Sequence, residues 1–250
     1  MHAPTYRVVN VLNTIASSDG NFTMADLARK TQIPVGTLFP IVKTLVDEQF
    51  ITCDNATGKY RIGIRLYLNG ISFLRSGDSY IAVREQLQKL TDETGEATHF
   101  CKLSGGNVLY LIKIDSPQPI RMFSAIGKQL GAYGTGVGKA LLCEHSLQQL
   151  RVLYGDGLKA MTPYTITDFK KLYQQLLEIR KTGFAFECEE SNEGIRCIAK
   201  PVFKNGRVCA AVSVGIPVFR YTEKKAENIK MLLSETVKKI EKIVVSLDYV

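Results

Sequence analysis

The chain has 250 residues, of which 45% are hydrophobic and 22% are charged, so its composition is that of a globular protein and excludes a disordered polyelectrolyte. Lys and Arg outnumber Asp and Glu by 32 to 24, which is compatible with a polyanionic partner. Charge alone does not locate a nucleic-acid site, because residues 1–75 carry a net +3 and residues 76–250 a net +5.

The sequence also favours a cytoplasmic location. No apolar run reaches the roughly 18 residues that a membrane-spanning helix needs, and the N-terminus has no continuous apolar signal segment. The six cysteines contain no C-x-x-C pair and are interpreted as reduced thiols.

Three short amphipathic helices are predicted in the first fifty residues. Apolar positions between residues 8 and 16 indicate the first helix. Thr23, with Asp26 three residues later, is typical of the N-terminus of a second helix, and Pro34 suits the first position of a third. Two short helices joined by a tight turn form a helix-turn-helix.

A basic hairpin is predicted after the third helix. Residues 50–53 and 59–63 have the pattern of two strands, and Lys59 and Arg61 alternate outward on the second strand, where they could contact phosphates. A hairpin at this place is the winged form of the motif, in which the third helix enters the DNA major groove. A three-helix protein-interaction module is the alternative.

Pro40 is the unusual residue of the predicted third helix. It has no N–H for the carbonyl of Gly36, and its ring crowds that carbonyl, so we expect a helix that is kinked or starts late. The helix has no Arg, Asn or Gln for bidentate base contacts, which leaves apolar contacts to thymine methyls or sugars. The predicted DNA-binding residues are Thr23, Val35, Gly36, Thr37, Leu38, Phe39, Lys43, Lys59 and Arg61.

An apolar helix is expected to follow the hairpin, with a domain boundary near residues 75–78. The predicted parts are a DNA-binding domain (1–63), a linker helix (64–78) and a C-terminal domain (79–250). An apolar connector beside a small DNA-binding domain often becomes buried in a dimer, and packing on its own domain is the equal alternative. Because the first 75 residues carry only +3, DNA affinity would need two or more copies of this domain.

The C-terminal part has strand patterns at both ends and helical patterns between them. Period-2 runs indicate strands over 97–126 and 184–214, and helices are expected at 138–144, 146–154, 167–182 and 223–247. This order predicts an α+β fold, in which helices cover an antiparallel sheet.

The glycine-rich segment 131–142 is the most unusual stretch of this domain. It matches neither a Walker A loop nor a dinucleotide-binding fingerprint. It does open a predicted helix, whose free N–H groups suit a small anion such as a carboxylate. A glycine turn that only permits close packing is the alternative.

Other polar groups indicate chemistry less strongly. The glutamates within 187–190 lack a nucleophile–base pair, and His99 and Cys101 share a strand face without a second pair of metal ligands. An enzyme that acts on a small acid through Cys197 and the glutamates is therefore the weaker hypothesis. We predict no catalytic residue, metal or cofactor.

Taken together, these motifs resemble the IclR (isocitrate lyase regulator) family of bacterial transcriptional regulators over nearly the whole chain. The segments that carry the resemblance are Asp26-Leu-Ala-Arg-Lys-Thr, Pro34-Val-Gly-Thr-Leu, Gly58-Lys-Tyr-Arg-Ile-Gly, Gly136-Val-Gly-Lys-Ala-Leu-Leu, Glu193-Gly-Ile-Arg-Cys-Ile-Ala-Lys-Pro-Val-Phe and Ala210-Ala-Val-Ser-Val.

The resemblance implies a winged-helix domain, a linker helix and a GAF/PAS-like domain for effector binding and oligomerisation. It also implies a dimer or dimer of dimers on palindromic promoter DNA, often of catabolic genes, and a small organic acid effector. The effector-binding residues that it implies are Met122, Phe123, Leu130, Gly136, Val137, Gly138, Glu187, Cys197, Ser213 and Gly215.

The chain departs from the family pattern at its predicted sites. Phe39-Pro40 stands where relatives commonly have a His/Tyr-Arg pair, Glu187 where Asp is common, and Gly215 where Ser is common. The base contacts and effector of a relative therefore do not transfer. A sugar acid or hydroxy acid is favoured, because Glu187 and Ser213 could bond hydroxyls; an aromatic acid is the alternative, given Phe123 and Tyr133.

Overall fold

The computed structural model describes residues 2–17, 22–75, 78–118 and 129–245. The chain divides into two compact units, residues 1–76 and 77–250. Part of the expected strand region, near residues 119–126, lies outside the described residues. No helix in the described part of the chain is long and apolar enough to cross a lipid bilayer.

The N-terminal unit is a winged helix-turn-helix followed by a further helix. Its elements are α1 (Ala3–Ala16), α2 (Met24–Thr31), α3 (Val35–Asp47), β1 (Ile51–Asp54), β2 (Lys59–Ile62) and α4 (Ile64–Arg75). Strands β1 and β2 pair as an antiparallel hairpin. The predicted order of helices and hairpin is confirmed.

A capping box begins α2, as the sequence indicates. The N–H of Asp26 donates to Thr23 Oγ1 at 3.3 Å, and the N–H of Thr23 donates to Asp26 Oδ2 at 3.1 Å. These reciprocal bonds satisfy two N–H groups that the first turn of a helix leaves without intrahelical acceptors. The helix ends at Thr31, and the left-handed backbone of Gln32 (φ 56°) then turns the chain into α3 within three residues.

Pro40 lies inside α3 without delaying its start. The helix begins at Val35, so the expected late start is wrong. Gly36, four residues before Pro40, is exposed, and apart from the adjoining residues and the helix's own backbone no atom lies within 4 Å of the place where a Cβ would stand. Pro40 is exposed as well, so the helix accommodates it on its solvent-facing side.

The core of this unit joins α1, α2 and α3 to the hairpin. Its fully buried members include Val11, Ile15, Leu27, Leu38 and Ile51. Gly63 closes the hairpin against the end of α3, where a Cβ would lie 2.2 Å from the carbonyl oxygen of Gln49. A larger residue at this position would force the wing away from the helices.

The C-terminal unit contains a six-stranded sheet and five helices in its described residues. Its elements are α5 (Asp78–Thr94), β3 (Ala97–Ser104), β4 (Asn107–Ile114), β5 (Gln129–Gly131), α6 (Gly136–Leu142), α7 (Leu147–Leu153), α8 (Phe169–Thr182), β6 (Ala185–Cys188), β7 (Ile195–Lys204), β8 (Arg207–Pro217) and α9 (Glu223–Val244).

The sheet has the strand order β5-β4-β3-β8-β7-β6, and every neighbouring pair is antiparallel. One apolar core lies between the sheet and helices α5 and α9. A second lies between the sheet and helices α6, α7 and α8. The predicted α+β fold is confirmed, with helices on both faces of the sheet.

Candidate functional site

One side of α3 is buried and the other is exposed. Leu38, Val42 and Leu45 face the core. The exposed side ends at Asp47, the last residue of the helix; its part in the first three turns, which we name the α3 stripe, consists of Val35, Gly36, Phe39, Pro40, Lys43 and Thr44. Val35 and Phe39 are 52% and 57% exposed, so this side of the helix presents two large apolar side chains to solvent.

Three of the predicted DNA-binding residues are partly or fully unable to contact DNA, because their side chains are buried or already hydrogen-bonded. Leu38 is fully buried, because it packs with Val42 and Leu45 in the core, so its prediction as a base contact is wrong. Thr37 is half-buried. The Thr23 hydroxyl donates to Asp26 at 2.7 Å and accepts from the Asp26 N–H, so it serves as the cap of α2.

The wing presents its two cations on one side of β2. Arg61 is exposed and Lys59 is half-buried, with Tyr60 between them facing the other way. The Tyr60 N–H donates to the carbonyl of Phe22 at 2.8 Å, which ties the wing to the segment before α2. At the tip, Asp54 Oδ1 accepts the N–H of Ala56 at 2.8 Å, and this bond contributes most to lowering the pKa of the Asp54 carboxyl.

The C-terminal unit has a small polar cavity between the sheet and the start of α6. The cavity encloses about 30 Å³, roughly the volume of one water molecule. It is lined by His99, Tyr110, Leu130, Thr135, Gly136, Val137, Glu187, Ser191, Asn192, Ile195, Cys197, Ser213 and Gly215. Seven of the ten predicted effector residues are in this lining; Met122 and Phe123 lie outside the described residues, and Gly138 is not part of it.

Strand register brings the distant members of this lining together. Glu187 on β6 is opposite Cys197 on β7, and Cys197 is opposite Gly215 on β8. Ser213 on β8 is opposite His99 on β3. Four strands from different parts of the chain thus supply adjacent rows of side chains.

The glycines at the start of α6 are required by close packing. A Cβ on Gly136 would lie 2.8 Å from the Cys197 sulfur, and one on Gly138 would lie 2.1 Å from the Ala132 carbonyl oxygen. The Gly138 N–H already donates to Thr135 Oγ1 at 2.9 Å. The close-packing interpretation therefore accounts for Gly138, whereas Gly136 also borders the cavity.

Glu187 is a buried carboxyl with an unusual pKa. Its Oε1 accepts the N–H groups of Glu190 at 2.6 Å and Ser191 at 3.0 Å. Burial raises the pKa of Glu187 to about 7, although those two N–H groups oppose the shift. Near neutral pH this carboxyl therefore exists in both the protonated and the ionised form.

The other titratable groups of the cavity are neutral at physiological pH. Burial lowers the pKa of His99 to about 3, and its Nδ1 lies 3.3 Å from Ser213 Oγ. Burial raises the pKa of Cys197 to about 12, so the thiol is not an ionised nucleophile. These states suit recognition by hydrogen bonding better than covalent catalysis.

The sequence interpretation missed a buried ion pair beside the cavity. Lys139 on α6 is fully buried and pairs with Glu190, which follows β6. A lysine in the otherwise apolar segment of α6 was the available signal, because a buried ammonium needs a carboxylate partner. Tyr110, Ser191 and Asn192 were also missed, since only the folded sheet brings them to the cavity.

In the part of the chain that the structure describes, His, Cys, Asp and Glu side chains form no cluster of three that could hold a metal ion. In particular, His99 and Cys101 gain no further ligand of these types from a neighbouring strand.

Two family models cover most of the chain. The model described as "IclR helix-turn-helix domain" matches residues 5–54. The model described as "Bacterial transcriptional regulator IclR C-terminal" matches residues 72–242, which is more than half of the sequence. The chain belongs to the IclR family. It is a DNA-binding transcriptional regulator, and the family is not one of enzymes.

Two curated members of the IclR family are similar to this chain along most of their length. The HTH-type transcriptional regulator KdgR of Escherichia coli (strain K12) is 29% identical over 219 residues, which cover 87% of this chain and 83% of KdgR. The transcriptional repressor IclR of the same organism is 28% identical over 238 residues, with 94% and 87% covered.

Solved structures of IclR-type regulators share the fold. A regulator from Alicyclobacillus acidocaldarius superposes with a TM-score of 0.85 at 24% identity, covering 97% of this chain and 99% of that one. An IclR homolog from Microbacterium hydrocarbonoxydans, complexed with 4-hydroxybenzoate, superposes with a TM-score of 0.78 at 22% identity, with 96% and 98% covered.

Proposed function

We propose that this regulator binds promoter DNA through the α3 stripe and the wing, and that a small organic acid in the sheet cavity changes that binding. The observation that carries the proposal is the meeting of Glu187, Cys197 and Gly215 beside the start of α6. A buried set of hydrogen-bonding groups contributed by several strands is typical of a specific ligand site.

The DNA contacts fall to the exposed members of the predicted set. Val35, Gly36 and Phe39 face the bases, and Thr37 contributes at the edge of this surface. Lys43, Lys59 and Arg61 contact phosphates, which supply affinity without sequence information.

The effector is a small acid that carries at least one hydroxyl group. The cavity holds about one water molecule, so binding requires it to widen, and compact acids need the smallest change. Ser213 Oγ and the free side of the Glu187 carboxyl bond the hydroxyl, and the amides near Gly136 and Val137 receive the acid group. A fold neighbour was solved with 4-hydroxybenzoate, itself a hydroxylated acid, which supports testing aromatic and aliphatic members of this class.

The regulator acts as a homodimer or a dimer of dimers. On α4, Ile64, Tyr67 and Leu68 are all about half exposed or more, and a second copy would cover these apolar side chains. Two linked DNA-binding units also compensate for the weak charge of one. Tyr67→Asp should dissociate the assembly in sedimentation velocity experiments, whereas Val152→Asp, at an exposed apolar position in the C-terminal unit, should not.

Selection from a random duplex pool tests DNA binding by the full chain. A short enriched motif is expected, with affinity that falls steeply with salt. Lys59→Ala and Arg61→Ala should each lower the slope of log affinity against log salt by about 1 for every subunit that contacts the DNA, whereas Lys170→Ala, at an exposed lysine of the C-terminal unit, should not. Absence of an enriched motif, with and without the acids named below, would contradict the proposal.

Calorimetric titration with two- to six-carbon hydroxy acids, sugar acids and 4-hydroxybenzoate tests the effector site. Ser213→Ala should lower the affinity for the acid about fivefold, which corresponds to the loss of one net hydrogen bond. Ser234→Ala is the matched control, because its hydroxyl donates to the Lys230 carbonyl on α9 at 2.9 Å. Equal losses in both variants, or no binding by any acid of these classes, would count against this site.

A further inference from the structure

The α3 stripe is mainly apolar and has few groups that could hydrogen-bond to a base. With Leu38 buried and Thr37 half-buried, its outward side chains are Val35, Phe39 and Pro40, followed by two polar residues. Of those two, Thr44 has its hydroxyl committed, because Oγ1 donates to the Pro40 carbonyl at 3.0 Å. Lys43 is the remaining polar side chain of the stripe, and it has no acceptor atom.

This surface suits one feature of the DNA major groove better than any other. Adenine, guanine and cytosine present hydrogen-bond donors and acceptors there, and thymine also presents its C5-methyl group. A hydrocarbon placed over a donor or acceptor removes its water and returns no hydrogen bond, which is unfavourable. A hydrocarbon placed over the methyl group gains apolar burial instead.

Gly36 and Pro40 shape this surface to receive a methyl group. Gly36 is on the same side as Val35 and Phe39, and apart from the adjoining residues and the helix's own backbone no atom lies within 4 Å of the place where its Cβ would stand. The stripe therefore has a notch between an aliphatic and an aromatic side chain. Pro40, one helical turn after Gly36, adds an exposed ring at the edge of the notch.

We propose that this regulator selects its DNA site through thymine methyl groups, which Val35, Phe39 and Pro40 contact around the notch at Gly36. Hydrogen bonds from α3 to base edges contribute little to the choice of sequence, and the wing cations supply affinity. This inference rests on the proposed function, in which α3 is the helix that meets the bases. Each methyl contact should be worth about fourfold in affinity, the effect of burying one CH₂-sized group.

The experiment uses the motif enriched by the full chain from a random duplex pool. The same duplex is synthesised with deoxyuridine in place of each thymidine in turn, which removes only the methyl group. We expect about fourfold weaker binding at each contacted position and no change for an unrelated duplex. Replacing a sensitive thymine–adenine pair by 5-methylcytosine–guanine should restore part of the affinity that an unmethylated cytosine–guanine pair loses, because the methyl group returns to the same place in the groove.

Variants distinguish direct contact from an effect of deoxyuridine on DNA shape. In Val35→Ala/Phe39→Ala, whose substitutions are at exposed positions, binding should lose most of its sensitivity to deoxyuridine, with any remainder at the thymine that Pro40 contacts, while non-sequence-specific binding persists. Gln32→Ala is the matched control, because Gln32 is an exposed amide in the turn between α2 and α3 and could hydrogen-bond to a base. Circular dichroism melting checks that each variant is folded.

The outcomes separate this inference from the function on which it rests. A pool without any enriched motif contradicts DNA selection by the protein as a whole. An enriched motif bound equally with thymidine and deoxyuridine overturns the methyl contacts alone. Deoxyuridine sensitivity that is undiminished in the double variant, or sequence preference that disappears in Gln32→Ala instead, also overturns them.

Discussion

In most folded proteins apolar side chains are buried and polar side chains are exposed, and each of the two candidate sites departs from this distribution in its own way. The α3 stripe exposes a valine and a phenylalanine to solvent, whereas the sheet cavity buries a histidine, a glutamate and a serine. Buried polar groups and exposed large apolar groups are the informative exceptions in a folded protein. Here both exceptions occur where a partner is expected to complete the surface.

The difference lies in what holds each site in place. The stripe belongs to a helix whose other side is anchored by Leu38, so the exposed residues contribute little to folding. The cavity, in contrast, is held together by interactions within the fold. The Glu190 N–H donates to the Glu187 carboxylate, and the Lys139 ammonium donates to the Glu190 carboxylate. Substitutions on the stripe should therefore weaken binding without lowering stability, whereas substitutions at the cavity should affect both binding and stability.

Breaking the buried ion pair should give the largest loss of stability. Lys139→Met leaves the buried Glu190 carboxylate without its cation, which costs about 3–5 kcal/mol. The double variant Lys139→Met/Glu190→Gln removes both charges and should recover most of the loss. Urea unfolding followed by circular dichroism or tyrosine fluorescence is suitable, because the chain has 11 Tyr and no Trp.

The exposed pair between Arg29 and Asp26 is the control for that experiment. The Arg29 side chain is 77% exposed, so Arg29→Ala should change the free energy of unfolding by no more than about 1 kcal/mol. A loss as small as this in Lys139→Met would contradict the view that the cavity depends on the buried pair.

Two neighbouring residues on α3 sharpen the comparison within one helix. Leu38→Ala should destabilise the N-terminal unit by about 2–5 kcal/mol, because it leaves a hole in the core. Phe39→Ala should change stability by no more than about 0.5 kcal/mol while it weakens sequence-specific DNA binding. Thermal unfolding and DNA titration of both variants provide the measurement, and similar stability losses would show that the stripe is structural.

The sequence predicted the local parts of this fold because their signals are local. The capping box at Thr23 and the hairpin of the wing appear where turn chemistry and periodicity indicate them. Leu38 was proposed as a base contact although it also belongs to the apolar stripe of α3, and only the folded core shows which role it has. The late start expected for α3 gave too much weight to Pro40, because the helix begins at Val35 and continues through the proline.

The cavity could be predicted only in part, because it depends on the register of distant strands. Resemblance pointed to Glu187 and Ser213, but nothing local to either residue indicates that Cys197 lies opposite Glu187, or His99 opposite Ser213. The pair formed by Lys139 and Glu190 joins residues 51 positions apart. Such contacts follow from sheet topology rather than from periodicity.

Proton uptake at Glu187 should make the stability of the C-terminal unit depend on pH. Its pKa is raised by burial from 4.5 to about 7, so between these values the folded chain holds a proton that the unfolded chain releases. The free energy of unfolding should therefore decrease as pH rises from about 4.5 to about 7, by up to about 3 kcal/mol.

Glu187→Gln isolates that contribution. His99 acts in the opposite direction, because its pKa is lowered to about 3 and protonation of the unfolded chain reduces stability as pH falls below about 6.5. Subtracting the urea-unfolding curve of Glu187→Gln from that of the parent at each pH cancels the histidine and leaves the carboxyl. A difference that does not change with pH would mean that Glu187 has the same pKa in the folded and unfolded chain. The cavity would then be as open to water as the exposed α3 stripe.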